Sequence, residues 1–120
     1  MNSSPGSTER LADFQADLFK AMAHPARVMI LQMLNAAESM TVGELRTRTG
    51  LEASNLSQHL GVLRRSHLIA SSRPDGQVSY QLTCREVSGL LDHARLLLQT
   101  LMNNNQQDLQ ESAAAGRSTT

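Results

Sequence analysis

Residues 54–66 read SNLSQHLGVLRRS, and the chemistry they can do is to hold an anion. Leu56, Leu60 and Leu63 recur at i, i+4 and i+7, one stripe of an α-helix. At about 100° per residue, Ser54, Gln58, Gly61 and Arg65 fall on the face opposite that stripe. Ser57 and Arg64 flank that face on one side and Asn55 on the other. The outward surface is therefore small, polar and cationic, and no carboxylate occurs anywhere in the stretch. A helix face that only has to be soluble usually mixes both charge signs. Hydroxyl, amide and guanidinium groups together match phosphate oxygens and base edges, so double-stranded DNA is the obvious counterpart. Gln58 is the candidate base reader, because its amide can pair bidentately with adenine in the major groove. Arg64 and Arg65, late in the helix, and Ser57 are candidate phosphate contacts. His59 lies about 60° from the apolar centre, where a core-edge role and a DNA contact are equally open.

The elements around this stretch follow from spacing. Thr41 reads as an N-cap with Glu44 three residues on, a capping box. The short helix it opens stops at Gly50, a good residue just past a helix end. Leu51–Ala53 then turns tightly into the Ser54 helix. Two helices joined this way, the second polar and basic outward, form a helix-turn-helix pattern. After Ser66 the period changes. Residues 67–73 read as extended, Pro74-Asp75-Gly76 is a turn, and Val78, Tyr80 and Leu82 alternate with polar residues, as a half-buried strand does. A lone hairpin is marginal in water, so this one must pack on the helices. Arg73 and Gln77 flank its turn and are candidates for minor-groove or phosphate contact.

Upstream, residues 1–8 read as a disordered N-terminus, with Ser7 or Thr8 able to cap the helix that follows. Leu11, Phe14, Leu18 and Met22 form its stripe. Pro25 ends that helix and opens the next, whose inward residues are Val28, Ile30, Leu31 and Met33 or Leu34. Glu38-Ser39-Met40 reads as a linker. Downstream, Thr83 reads as the cap of a last helix over Cys84–Asn103, with Glu86 three residues later. Residues 9–103 form one folded domain, and 104–120 read as a frayed or disordered tail. The leucine stripe of the last helix is too wide for so small a domain to cover, and the first helix has a similar surplus. Leu11, Phe14, Leu18, Leu90, Leu91, Ala94, Leu97, Leu98 and Leu101 are therefore expected to pack against a second copy in a two-fold homodimer.

Composition narrows the classes. The chain has 120 residues, 2% aromatics and no Trp, so its core is aliphatic, which suits packed helices. Net charge is zero, but its distribution is uneven. Residues 41–85 carry six Arg against Glu44, Glu52 and Asp75, between flanks in which acids outnumber bases. The middle third is the basic part, as a DNA-facing surface would be. A single cysteine, Cys84, excludes an internal disulfide framework and fits a reducing cytoplasm. No apolar run reaches membrane-spanning length. No Gly-rich phosphate loop, Cys-x-x-Cys or His-Glu-x-x-His occurs, so no catalytic motif points to an enzyme.

Helix, helix, helix-turn-helix, hairpin, helix describes a mostly α winged helix. LFKAMAHPARVMILQML, SNLSQHLGVLRRSHLI and SRPDGQVSYQLT, in that order and spacing, resemble the ArsR-type (ArsR/SmtB) bacterial transcriptional repressors over roughly Leu18–Leu98. The resemblance implies a homodimeric repressor on an imperfect inverted repeat, released by an effector that is often a metal ion. Two departures stand out. Gly61 occupies a position often lysine, where a bare backbone permits close approach to a phosphate. The wing keeps only Arg73, with Pro74 and Gln77 at its two other usual basic places.

The family's metal sites transfer poorly. Thr41-Val42-Gly43-Glu44-Leu45 stands where one site has Cys-x-Cys, and the adjacent pair Asp92-His93 stands where another has Asp-x-His. No metal site is identifiable, and no cofactor is called for. His93 is the best orphan ligand candidate, against an ordinary surface histidine. Cys84 reads as a small buried junction residue, against a redox or metal role. His24 reads as a turn residue, His67 as a cation at a helix C-terminus, and Met22, Met29, Met33 and Met102 as core filler. A protein-interaction module whose basic face docks an acidic partner, or one needing a co-regulator protein to sense, is the competing function.

Overall fold

The computed structural model describes residues 5–118 of the chain. Its first unit, up to Val87, holds the elements that position the reading helix. Helix α1 (Pro5–Met22) and helix α2 (Pro25–Ala37) are separated by the Ala23-His24 turn. Strand β1 (Met40–Thr41) leads directly into α3 (Val42–Thr49), which is followed by α4 (Ala53–Arg65). Strands β2 (Ile69–Ser72) and β3 (Ser79–Leu82) make the wing. Helix α5 runs Arg85–Ser118, and from Ser88 onward it is a unit of its own.

The core is aliphatic, as the composition requires. Ile30, Leu31 and Leu34 of α2, Leu45 of α3, and Leu56, Leu60 and Leu63 of α4 are all buried. Helix α2 is the hub, touching α3, α4 and β3. Each of its fully buried side chains, Ile30, Leu31 and Leu34, is worth about 1.5–3 kcal/mol relative to exposure.

Local chemistry fixes each junction. Pro25 sits in the first turn of α2, and His24 caps it, its Nδ1 accepting from the Ala26 amide at 3.1 Å. Thr41 and Glu44 form the expected reciprocal capping box at 3.2 and 3.0 Å. Their hydrogen bonds hold the Glu44 carboxyl below its usual range. Gly50 ends α3 in the left-handed region at φ 71°, which suits a residue with no Cβ. The Thr49 hydroxyl donates to the Leu45 carbonyl at 2.7 Å and accepts from the Leu51 amide at 3.2 Å. It thereby sets the turn into α4.

The end of α4 is a Schellman closure. His67 N–H reaches the Arg64 carbonyl and Leu68 N–H the Leu63 carbonyl, both at 3.0 Å. His67 adopts φ 61° in a place usually given to glycine. It thus serves backbone geometry as well as lying near the helix terminus.

Several expectations are corrected. Met40 is not linker: β1 pairs with β3, Met40 against Tyr80 and Thr41 against Ser79, giving a three-stranded antiparallel sheet ordered β1-β3-β2. Residues 5–8 are helical and not disordered, because Pro5 fits a first helical turn; residues 1–4 lie outside the described residues. Thr83 does not cap α5. Its hydroxyl donates to the His67 carbonyl at 2.8 Å, closing the base of the wing. The tail expected to fray continues as helix to Ser118. Its Gln, Leu, Glu and Ala residues are good helix formers, and neither Pro nor Gly interrupts it before Gly116. Met102 is exposed and not core filler, and Cys84 is exposed and not buried.

Candidate nucleic-acid interface

Helix α4 turns Leu56, Leu60 and Leu63 inward and leaves Ser54, Asn55, Ser57, Gln58, Arg64 and Arg65 exposed. The two-faced arrangement read from spacing is present. Gly61 is half-buried for a specific reason: the Arg65 guanidinium folds back over it. The bare backbone at Gly61 thus gives room to an arginine of its own helix. On the wing, Arg73 and Gln77 are exposed on either side of Pro74–Gly76. That turn closes through Gln77 N–H to the Pro74 carbonyl at 3.3 Å, with Asp75 at φ 58° and Gly76 at φ 80°.

His59 is half-buried and belongs to a cluster that sequence reasoning missed. Its ring lies 4.5 Å from that of His24, centroid to centroid. The Arg27 guanidinium approaches His59 Nδ1 at 3.4 Å and donates to the Ala21 carbonyl from Nε at 2.7 Å. Burial holds His59 below the usual histidine range, and its neighbours His24 and Arg27 push the same way. Arg27, Ser57, Gln58, His59, Gly61 and Arg65 line one open depression along α4. The only sequence signal for Arg27 was its place two residues after the helix-opening proline.

No group of three or more His, Cys, Asp or Glu among the described residues is placed to hold a metal ion. His93 Nδ1 lies 2.9 Å from the Gly89 carbonyl of its own helix. The residues present do not fit the metal effector that the family resemblance implies. No helix of the described residues is long and apolar enough to cross a membrane.

The surfaces expected to meet a second copy are uneven. Leu11 and Phe14 of α1 are exposed, Phe14 at 65%, as are Ala94, Leu97, Leu98 and Leu101 of α5. Leu18 and Leu90 are half-buried. Leu91 is 7% exposed.

A helix-turn-helix domain model matches residues 22–72, from the end of α1 through β2. The Mycobacterium tuberculosis regulator Rv0081 is 38% identical over 113 residues, 93% of this chain and 98% of that protein. This chain belongs to the ArsR-type family of winged-helix transcriptional regulators. The crystal structure of Rv0081 superposes with a TM-score of 0.75, covering 86% of this chain and 98% of that one. The Xylella fastidiosa repressor BigR gives a TM-score of 0.69 at 31% identity, covering 82% and 96%. HlyU of Vibrio cholerae, named a transcriptional activator, gives 0.68 at 37% identity, covering 75% and 94%. Like its relatives, this ArsR-type chain is a DNA-binding transcriptional regulator. Within the family fold, α3 and α4 are the helix-turn-helix and β2–β3 is the wing.

Proposed function

We propose that the chain acts as a cytoplasmic homodimer, not an enzyme, that represses transcription by occupying an inverted-repeat operator. The carrying observation is the exposed, carboxylate-free face of α4. Gln58 reads base edges in the major groove, with Ser54 and Asn55 at the helix start. Ser57, His59, Arg64 and Arg65 hold the backbone, with Gly61 keeping the face low. Arg73 and Gln77 add the wing contact. The exposed apolar residues of α1 and α5 pack against a second copy, and the partner's reading helix enters the next major groove about 34 Å away.

Relatives are named with both signs of regulation. Repression is proposed because occupancy of a promoter blocks polymerase without any further docking surface. A metal effector is not carried over, since the donor set does not fit one.

The test is fluorescence anisotropy against DNA from upstream of its own gene, beside scrambled DNA, at two salt concentrations. Tight binding that scrambled DNA cannot match, weakening steeply with salt, is expected. Equal weak binding to both, unchanged by Gln58→Ala, would favour a module that docks an acidic protein or needs a co-regulator. A promoter fusion should be more active when the chain is absent; lower activity would reverse the sign.

A further inference from the structure

The Arg27–His24–His59 cluster is not explained by packing alone. The Arg27 side chain is tied down twice, by Nε to the Ala21 carbonyl and by Nη1 against His59 Nδ1. A guanidinium held in place loses little entropy when it meets an anion, and the rest of its N–H fork is uncommitted. An arginine can only donate, so the 3.4 Å contact is a hydrogen bond where His59 Nδ1 accepts and the ring proton sits on Nε2. Burial and the neighbouring guanidinium favour the neutral ring. His24 is fixed in the same tautomer, because its Nδ1 accepts from Ala26 N–H.

The groups facing the ring are His24 from the interhelix turn and Arg27 from α2, and Arg65 of the same helix lines the depression that the ring borders. No carboxylate lines the depression among the described residues. Asp17 of α1 lines a different hollow, beside Phe14 and Arg65. A pinned guanidinium, a second arginine, the Ser57 hydroxyl and an imidazole make a donor set that matches the oxygens of a phosphodiester.

We propose that Arg27, Ser57, His59 and Arg65 seat a DNA backbone phosphate beside the reading helix, and that His59 takes up a proton from solvent as the phosphate arrives. The inference rests on the DNA-binding reading and adds to it a residue outside α4 and α3, Arg27, together with a linkage to pH. The phosphate brings negative charge to a depression lined by two arginines. The imidazolium then donates from both nitrogens, and Arg27 keeps its Nε bond to the Ala21 carbonyl while Nη1 turns from the ring to the phosphate. One proton gained on binding makes affinity rise as pH falls, by up to about tenfold per pH unit between the free and bound titration points.

The experiment follows the His59 ring nitrogens by 15N NMR in the full-length protein across pH 5.5–8.5. It does so alone, with inorganic phosphate and with operator DNA, beside anisotropy titrations of the same DNA. The free protein should show the Nε2–H tautomer at His59. Phosphate should raise its titration point and DNA should raise it further, while His67 and His93 report any general effect. His59→Gln should flatten the pH dependence of DNA affinity. Arg27→Gln should lower the salt slope by about one and raise the titration point of His59 in the free protein.

An unchanged His59 titration in phosphate and in DNA would overturn the seat, as would an unchanged salt slope in a folded Arg27→Gln. If Arg27→Gln does not fold, the wild-type phosphate titration decides. If the wild type binds no DNA, the proposed function fails, and the phosphate titration still decides whether the anion seat exists.

Discussion

The Arg65 guanidinium lies over Gly61, its Nη1 3.1 Å from where a β-carbon at residue 61 would stand. Gly61→Ala adds helix propensity worth about 1 kcal/mol, and the only atoms in its way belong to the flexible end of Arg65. The substitution should therefore raise the melting temperature while weakening operator binding, because Arg65 is pushed from its resting place and a methyl group stands on the DNA-facing side. Thermal unfolding and anisotropy on the same sample check the two opposite signs.

Gln58→Ala and Arg64→Ala should fail in different ways. Removing the amide should cost about 1–3 kcal/mol on the true operator and little on scrambled DNA, with the salt slope intact. Removing the guanidinium should weaken binding to both DNAs alike and lower the slope by about one. A matched pair of salt titrations separates them.

Leu98→Glu places a charge on an α5 surface that is 58% exposed. Sedimentation should show a shift from dimer to monomer, with unchanged helix content by circular dichroism and a large loss of operator affinity. A dimer that survives this change and Phe14→Glu would place the interface elsewhere.

Stability should fall on the acid side through His59. Its folded titration point is depressed by burial and by its neighbours His24 and Arg27, so the unfolded chain binds more protons there. Stability is full above the unfolded histidine value of about 6.5 and is lost as pH falls through the window below it. In urea melts between pH 5 and 8, His59→Gln should show a shallower acid decline than the wild type.

His67→Gly should stabilise the fold by about 1 kcal/mol, because the left-handed backbone at φ 61° then costs nothing. A lower melting temperature would mean that the imidazole contributes more than the strain it causes.

The two-faced reading helix and the capping box were legible because both are short-range patterns, set by spacings of three and four residues. The turn at Pro74–Gly76 was legible from residue types whose backbone preferences are strong. Strand β1 was not, because two residues show no alternation and Met40–Thr41 is defined only by its partner Tyr80–Ser79. Thr83 has the sequence of a cap, but a tertiary acceptor at His67 won its hydroxyl. Arg27 escaped because its contact with His59 joins positions 32 apart, and spacing rules do not reach that far. The continuation of α5 beyond Asn103 shows the opposite error: polarity was read as disorder where helix propensity prevailed.

Thr41 is at once the last residue of β1 and the N-cap of α3. The sheet that carries the wing and the helix pair that carries the reading face thus share one residue, with no linker between them in which a hinge might bend. The wing root and the start of the helix-turn-helix are welded, and each half of the proposed dimer would grip DNA as a fixed tool. In that proposed dimer, a signal that loosens the grip has to work on the distance or angle between the two tools, since neither tool has a joint of its own to flex.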